Sequence, residues 1–87
     1  MQFSVLLIKF DIFNEREVNM DRYFVHKAKQ PNGDHEVHKE GCSKMPRDEH
    51  RKFLGLFNKC RDALKEARRD YQQVNGCKQC IPECHTS

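Results

Sequence analysis

Two short clips of metal-binding side chains constrain this chain more than any other feature: His38-x-x-x-Cys42 and, after 34 intervening residues, Cys77-x-x-Cys80. Each clip offers two donors. Gly41 and Gly76 stand directly before Cys42 and Cys77, and glycine lets backbone turn tightly around an ion. Brought together by a fold, the clips supply three thiolates and one imidazole, the tetrahedral Cys3His set of a closed structural zinc site. The plain alternative is a group of buried, redox-inert cysteines with incidental neighbours. Spacing and the two glycines favour zinc (Zn2+).

The chain needs such a staple. It has 87 residues, 37% hydrophobic and 33% charged, with no Trp, which allows a single small domain. A core of this size supplies only about 3–5 kcal/mol, so small folds recruit metals, disulfides or partners. The five cysteines are an odd number, and the amino terminus carries neither a basic n-region nor a small-residue cleavage site. A reducing, cytoplasmic setting is expected, in which cysteines bind metal rather than pair. The apolar run Phe3 to Phe13 is interrupted by Lys9 and Asp11 and is too short to span a bilayer.

Residues 1–19 read differently from the rest. Phe3 to Phe13 is apolar on both strand faces, whereas Met20-Asp21-Arg22-Tyr23-Phe24-Val25 reads like a protein start entering a strand. Glu15 to Asn19 can be back-translated into a purine-rich ribosome-binding string ahead of Met20. We expect residues 1–19 to be a non-native upstream extension or a disordered arm, and residues 20–87 to be the zinc-binding domain. The alternative is a genuine amino-terminal strand, and the intact mass of the native product decides between them.

From Met20 the expected class is α+β: a β-hairpin and a short third strand packed on one carboxyl-terminal helix. Arg22 to Ala28 alternates like a strand, Gln30-Pro31-Asn32-Gly33-Asp34 is turn chemistry, and His35 to Lys39 is the return strand. Alternation puts His35, Val37 and Lys39 on one face and Glu36 and His38 on the other. Pro46 to Lys52 reads as a charged loop or single helical turn, and Phe53 to Phe57 as the third strand. Asn58 is the expected N-cap of a helix whose stripe is Cys60, Ala63, Leu64, Ala67, Tyr71 and Val74. Asn75-Gly76 would end it and deliver Cys77 from the helix terminus.

The remaining histidines and cysteines have blander readings. Cys60 lies on the apolar stripe, where cysteine behaves as a small hydrophobe. Cys84 and His85 are the alternative donors: they could replace one ligand or hold a second weak ion, but an exposed tail is favoured. His26 and His50 read as solvated, and His35 faces away from His38. Enzyme readings fare poorly. His35-Glu36-Val37-His38 is one residue short of His-Glu-x-x-His and sits on a strand. Cys77 and Cys80 could form a redox dithiol, but no βαβ pattern surrounds them.

The order Val37-His38-x-x-x-Cys42, then Phe57, Asn58 and Ala63, then Gly76-Cys77-x-x-Cys80-x-Pro82 resembles the amino-terminal zinc domain of Ada-type DNA-repair proteins. The likeness covers residues 37–82. The pattern is also similar to zinc modules on some bacterial nucleases, whose first ligand is often His. Closer still is the likeness to small stand-alone bacterial proteins with Asn-Gly-Asp-His-Glu-Val-His (32–38 here) and a Cys-rich tail. The resemblance implies the fold, the zinc and an affinity for nucleic acid. In the Ada type the first ligand is a cysteine that accepts a methyl group. His38 cannot do so, and the repair chemistry is not carried over.

Net charge is +3, and removing Lys9 and Arg16 with Asp11, Glu15 and Glu17 raises it to +4. Arg61, Lys65, Arg68 and Arg69 gather on the outer helix face, with Arg47, Arg51 and Lys52 before it. Lys65, Arg68 and Arg69 are the candidate phosphate contacts, although interspersed Asp62, Glu66 and Asp70 fit an ordinary solvated face better. Three functions therefore compete: a zinc module binding nucleic acid or a nucleic-acid enzyme, an adaptor with structural zinc, and a thiol redox protein. No membrane contact and no small-molecule substrate are expected.

Overall fold

The computed structural model describes residues 20–86, and the expectation for residues 1–19 lies outside them. Four strands and one helix form an α+β fold: β1 (Asp21–His26), β2 (His35–Lys39), β3 (Arg51–Phe57), α1 (Cys60–Ala67) and β4 (Val74–Gly76). The sheet order is β3-β1-β2-β4, antiparallel except for the parallel pairing of β2 with β4. Among the described residues no helix is long and apolar enough to cross a membrane.

The hairpin follows from its residues. Tyr23 and Val25 alternate inward on β1 and Val37 inward on β2, with Val25 directly opposite Val37. The Asp34 amide donates to the Asn32 side chain at 2.9 Å, closing the turn at the residue that leads into β2. A single turn of 3-10 helix, Asp48–His50, precedes β3, which starts two residues earlier than its apolar run suggests.

On the helix, Cys60, Ala63, Leu64 and Ala67 are buried as the stripe requires, against Val25, Val37, Cys77 and Ile81. Three expectations for this region fail. The cap residue is Lys59 rather than Asn58, and it makes no side-chain cap bond. The helix stops at Ala67, so Tyr71 and Val74 share its phase by coincidence. Asn75-Gly76 does not terminate it but lies in β4.

The reason is tertiary. The free edge of β2 captures the chain: the His35 amide donates to Gln73 O at 2.9 Å and the Cys77 amide to Val37 O at 2.8 Å. Side chains fix the register. Asn75 is buried, donating to Asp34 Oδ2 at 3.1 Å and to Thr86 O at 2.6 Å, while its own oxygen accepts from the Thr86 amide at 2.9 Å. Gln73 donates to Asp34 Oδ1 at 2.6 Å. These donors hold the Asp34 carboxyl below its ordinary range, the Gln73 bond contributing most and Asn75 next. Gly76 is needed for space: a Cβ there would lie 2.8 Å from the Cys84 carbonyl oxygen.

Losing one partner of this buried polar group leaves the others unsatisfied, which costs about 1–3 kcal/mol. Asn75→Ala is therefore expected to destabilise the fold by that amount in urea unfolding. Gly76→Ala should also destabilise it, by pushing the carboxyl-terminal tail off β4. Unchanged urea midpoints in both variants would contradict the β4 placement.

Candidate metal centre

Two sheet ends build the centre. His38 is the penultimate residue of β2. Beyond Lys39 the chain reverses through Glu40-Gly41, with Gly41 at φ +94°, and the Cys42 amide donates to Lys39 O at 3.1 Å. That turn folds Cys42 back over His38. The parallel register of β4 with β2 pairs Gly76 with Val37, so Cys77 leaves the sheet beside His38. A further turn, closed by the Ile81 amide on Cys77 O at 3.0 Å, brings in Cys80. The parallel strand, not a helix terminus, thus delivers the second clip.

The donor atoms of His38, Cys42, Cys77 and Cys80 all lie within 4.8 Å of one another, and this cluster could hold a metal ion. Cys42 Sγ is 3.7 Å from Cys77 Sγ and 3.6 Å from His38 Nδ1. His38 is 1% exposed, and its other ring nitrogen, Nε2, faces Glu36 Oε1 at 3.4 Å. A carboxylate at that distance favours the proton on Nε2 and leaves Nδ1 facing Cys42, as a metal-bound imidazole would require. Backbone amides point at the sulfurs: Lys39 N–H at Cys80 Sγ (3.2 Å) and Lys44 N–H at Cys42 Sγ (3.4 Å).

Burial sets the protonation of these groups. It pushes the His38 imidazole down to about 4, with the nearby His26 adding to the effect, so the ring is neutral as a ligand must be. It pushes the Cys80 thiol up to about 12, opposed by the Lys39 amide and reinforced by Cys42 and Cys77. A cation among the sulfurs would supply the charge that lets them ionise together.

The other sequence candidates lie elsewhere. Cys84, an alternative donor by sequence, is bonded to Cys60 in a disulfide with Cα atoms 6.3 Å apart. This corrects two expectations, that the cysteines would not pair and that Cys84 belongs to an exposed tail. Cys60 is indeed buried in the core, but covalently joined. The bond closes a loop with a sequence separation of 24, worth about 3 kcal/mol on the chain-entropy account. The sequence held the necessary signal in its odd count: three thiols for the centre and two for a bridge. His85 is occupied as well, donating from Nδ1 to Gly76 O at 2.9 Å. His35 stacks on Tyr71 at 4.0 Å and donates to His26 O, away from the centre, while His50 is exposed. His26 is half-buried rather than fully solvated.

Lys65 is exposed on the helix, but Arg68 and Arg69, also exposed, lie just past its end at Ala67 rather than on its outer face, with Arg69 paired to Glu66 at 3.6 Å. Lys52 pairs with Asp70 beside them. The acids that temper this patch in the sequence therefore also temper it in space.

Cys84→Ser and His85→Ala are expected to keep any metal bound to the full chain, Cys84→Ser losing stability through the opened loop. Metal lost from either variant in native mass spectra would move the site to the tail.

None of the family models, curated proteins or solved structures compared with the chain matches it, so the chemistry of the centre is derived from its own donor atoms.

Proposed function

We propose that His38, Cys42, Cys77 and Cys80 hold one Zn2+ in a closed Cys3His centre, and that the protein is a small binding module stapled by it. One observation carries this reading. Zinc takes sulfur at about 2.3 Å and nitrogen at about 2.0–2.1 Å, so tetrahedral geometry sets sulfurs roughly 3.8 Å apart and sulfur from nitrogen roughly 3.6 Å apart. The separations of 3.7 Å and 3.6 Å fit those edges. The soft donor set also suits zinc.

A four-ligand shell leaves no position for water or substrate, so the ion acts by cross-linking rather than by Lewis-acid chemistry. It would join the end of β2 to the end of β4 and hold the turn that carries Ile81 into the core. Binding then becomes the function, with nucleic acid or a nucleic-acid-processing protein as partner. The net charge of +3 supports that class. The methyl-acceptor chemistry of Ada-type domains is not part of the proposal, because an imidazole stands where their reactive thiolate does.

Purified protein is expected to carry one zinc per chain by native mass spectrometry. Chelation should remove the dispersed amide signals of residues 37–85, because in such folds metal binding energy is folding energy. His38→Cys should retain zinc, whereas Cys42→Ala, Cys77→Ala and Cys80→Ala should each lose it. A chelated chain that keeps its amide spectrum and melting temperature would show the ion to be dispensable.

A further inference from the structure

The helix covers one face of the sheet, and the other face carries an arrangement of side chains that core packing does not explain. Among the described residues, Phe53 and Leu56 are the exposed large hydrophobic ones, at 48% and 49%. Three positions apart on a regular strand, they would point to opposite faces. They do not, because β3 is bulged: Tyr23 pairs with Gly55 but Phe24 with Phe53, leaving Leu54 as the extra residue. The bulge re-aims Phe53 so that it lies opposite Phe24, while Leu56 lies opposite Arg22, on that same outer face. Leu54 and Phe57 take up the inward positions against the core.

The outer face is thus a row of aromatics set among cations. The Phe24 and Phe53 rings lie 5.3 Å apart at a tilt of 53°. The Arg51 guanidinium sits 4.7 Å over Phe24, and that of Arg22 lies 5.9 Å from the Phe53 centroid. Phe24 is opposite His38 on β2, so the row runs directly to the metal centre. Beyond it lies a cleft of about 380 Å³ lined by His26, Glu36, His38, Lys44 and Lys78. Solvent-facing rings and guanidinium planes that interleave with cations offer stacking surfaces for bases and charges for phosphates.

We propose that this outer face, with Phe53 as its stacking platform and Arg22, Arg51, Lys44 and Lys78 as its phosphate contacts, binds single-stranded nucleic acid. This rests on the reading of the protein as a zinc-stapled binding module and names its partner and its binding face. Charge complementarity favours this occupant. Arg22 and Arg51 are neutralised by Glu40 at 3.8 Å and Asp48 at 2.5 Å, two carboxylates that are themselves 61% and 88% exposed. The Arg22–Glu40 pair is exposed on both sides and weak, and Arg51, 27% exposed and also held by Pro46 O at 2.9 Å, keeps its fork aimed at an exposed carboxylate, so a phosphate chain can take the carboxylates' place. Glu36, also on this face, is turned to His38 and is 18% exposed. A duplex holds its bases stacked inside and cannot use the platform.

The test measures anisotropy of a labelled twelve-nucleotide oligo-dT and the matching oligo-U with the zinc-loaded full chain, across a salt series. Binding to single strands should exceed binding to a duplex of the same length. Phe53→Ala should weaken it roughly tenfold, as loss of one base stack does, while Phe53→Tyr restores it. Arg51→Ala should lower the salt slope by roughly 0.7. Replacing Lys65, Arg68 and Arg69 together with Ala should change affinity less than Phe53→Ala does. Zinc content and melting temperature, read on every variant, should be unchanged in Phe53→Ala. No affinity at low salt from a chain with full zinc content would overturn the platform and leave the zinc centre standing. A loss in the helix triple variant but not in Phe53→Ala would place the nucleic acid on the helix instead. A wild-type chain that dimerises, with Phe53→Ala monomeric, would make this face a protein interface and overturn the proposal equally.

Discussion

Three thiols and an imidazole whose donor atoms crowd within 4.8 Å of one another cannot take up charge together unless a cation joins them. Burial keeps the imidazole neutral and resists ionising Cys80, so the donors are arranged for an ion and poorly arranged without one. The surroundings answer the same need. Lys39 and Lys44 aim amides at sulfur, and Glu36 faces the ring nitrogen that does not bind. The rest of the fold can be described by how it brings the two clips to one place.

That delivery depends on the edge of β2. Without β4 this edge would present unpaired amides and carbonyls, and Cys77 would have no reason to lie beside His38. Pairing β4 there is itself secured by the buried Asp34–Asn75–Thr86 bonds and by the close seat of the tail on Gly76. The Cys60–Cys84 bond then ties that tail to the helix, four residues beyond the last donor. The His/Cys cluster that could hold a metal, the polar group and the disulfide all bear on one stretch, residues 74–86. This accounts for how a small core, nine buried apolar residues among those described, headed by Val25, Val37 and Ile81, keeps the carboxyl-terminal segment in place.

Much of this was legible in the sequence, for identifiable reasons. The hairpin, the alternation that sets Tyr23 and Val25 against Phe24 and His26, the helical stripe through Ala67 and the four donors follow from local periodicity and ligand spacing. What failed was non-local. Tyr71 and Val74 continue the helical phase, and Asn75-Gly76 is a common helix stop, so β4 was invisible until β2 offered its edge. Gly76 was rightly singled out but for the wrong reason: the position needs room for the Cys84 backbone, not an unusual φ. The bulge at Leu54, which sets Phe53 and Leu56 on one face, leaves no trace in residue type alone. The partnership of Cys60 and Cys84 required knowing that the tail returns to the helix.

Cobalt substitution tests the central claim most directly, because the visible spectrum of Co2+ reports donor number and type without relying on the fold. The chain with one equivalent of Co2+ should show the intense d–d absorption of a tetrahedral ion together with thiolate-to-cobalt charge transfer scaled to three sulfurs, and zinc should displace both. His38→Cys should raise the charge-transfer intensity toward that of four sulfurs. A weak spectrum of octahedral type, or charge transfer that disappears in Cys84→Ser while surviving in Cys77→Ser, would contradict the centre described here.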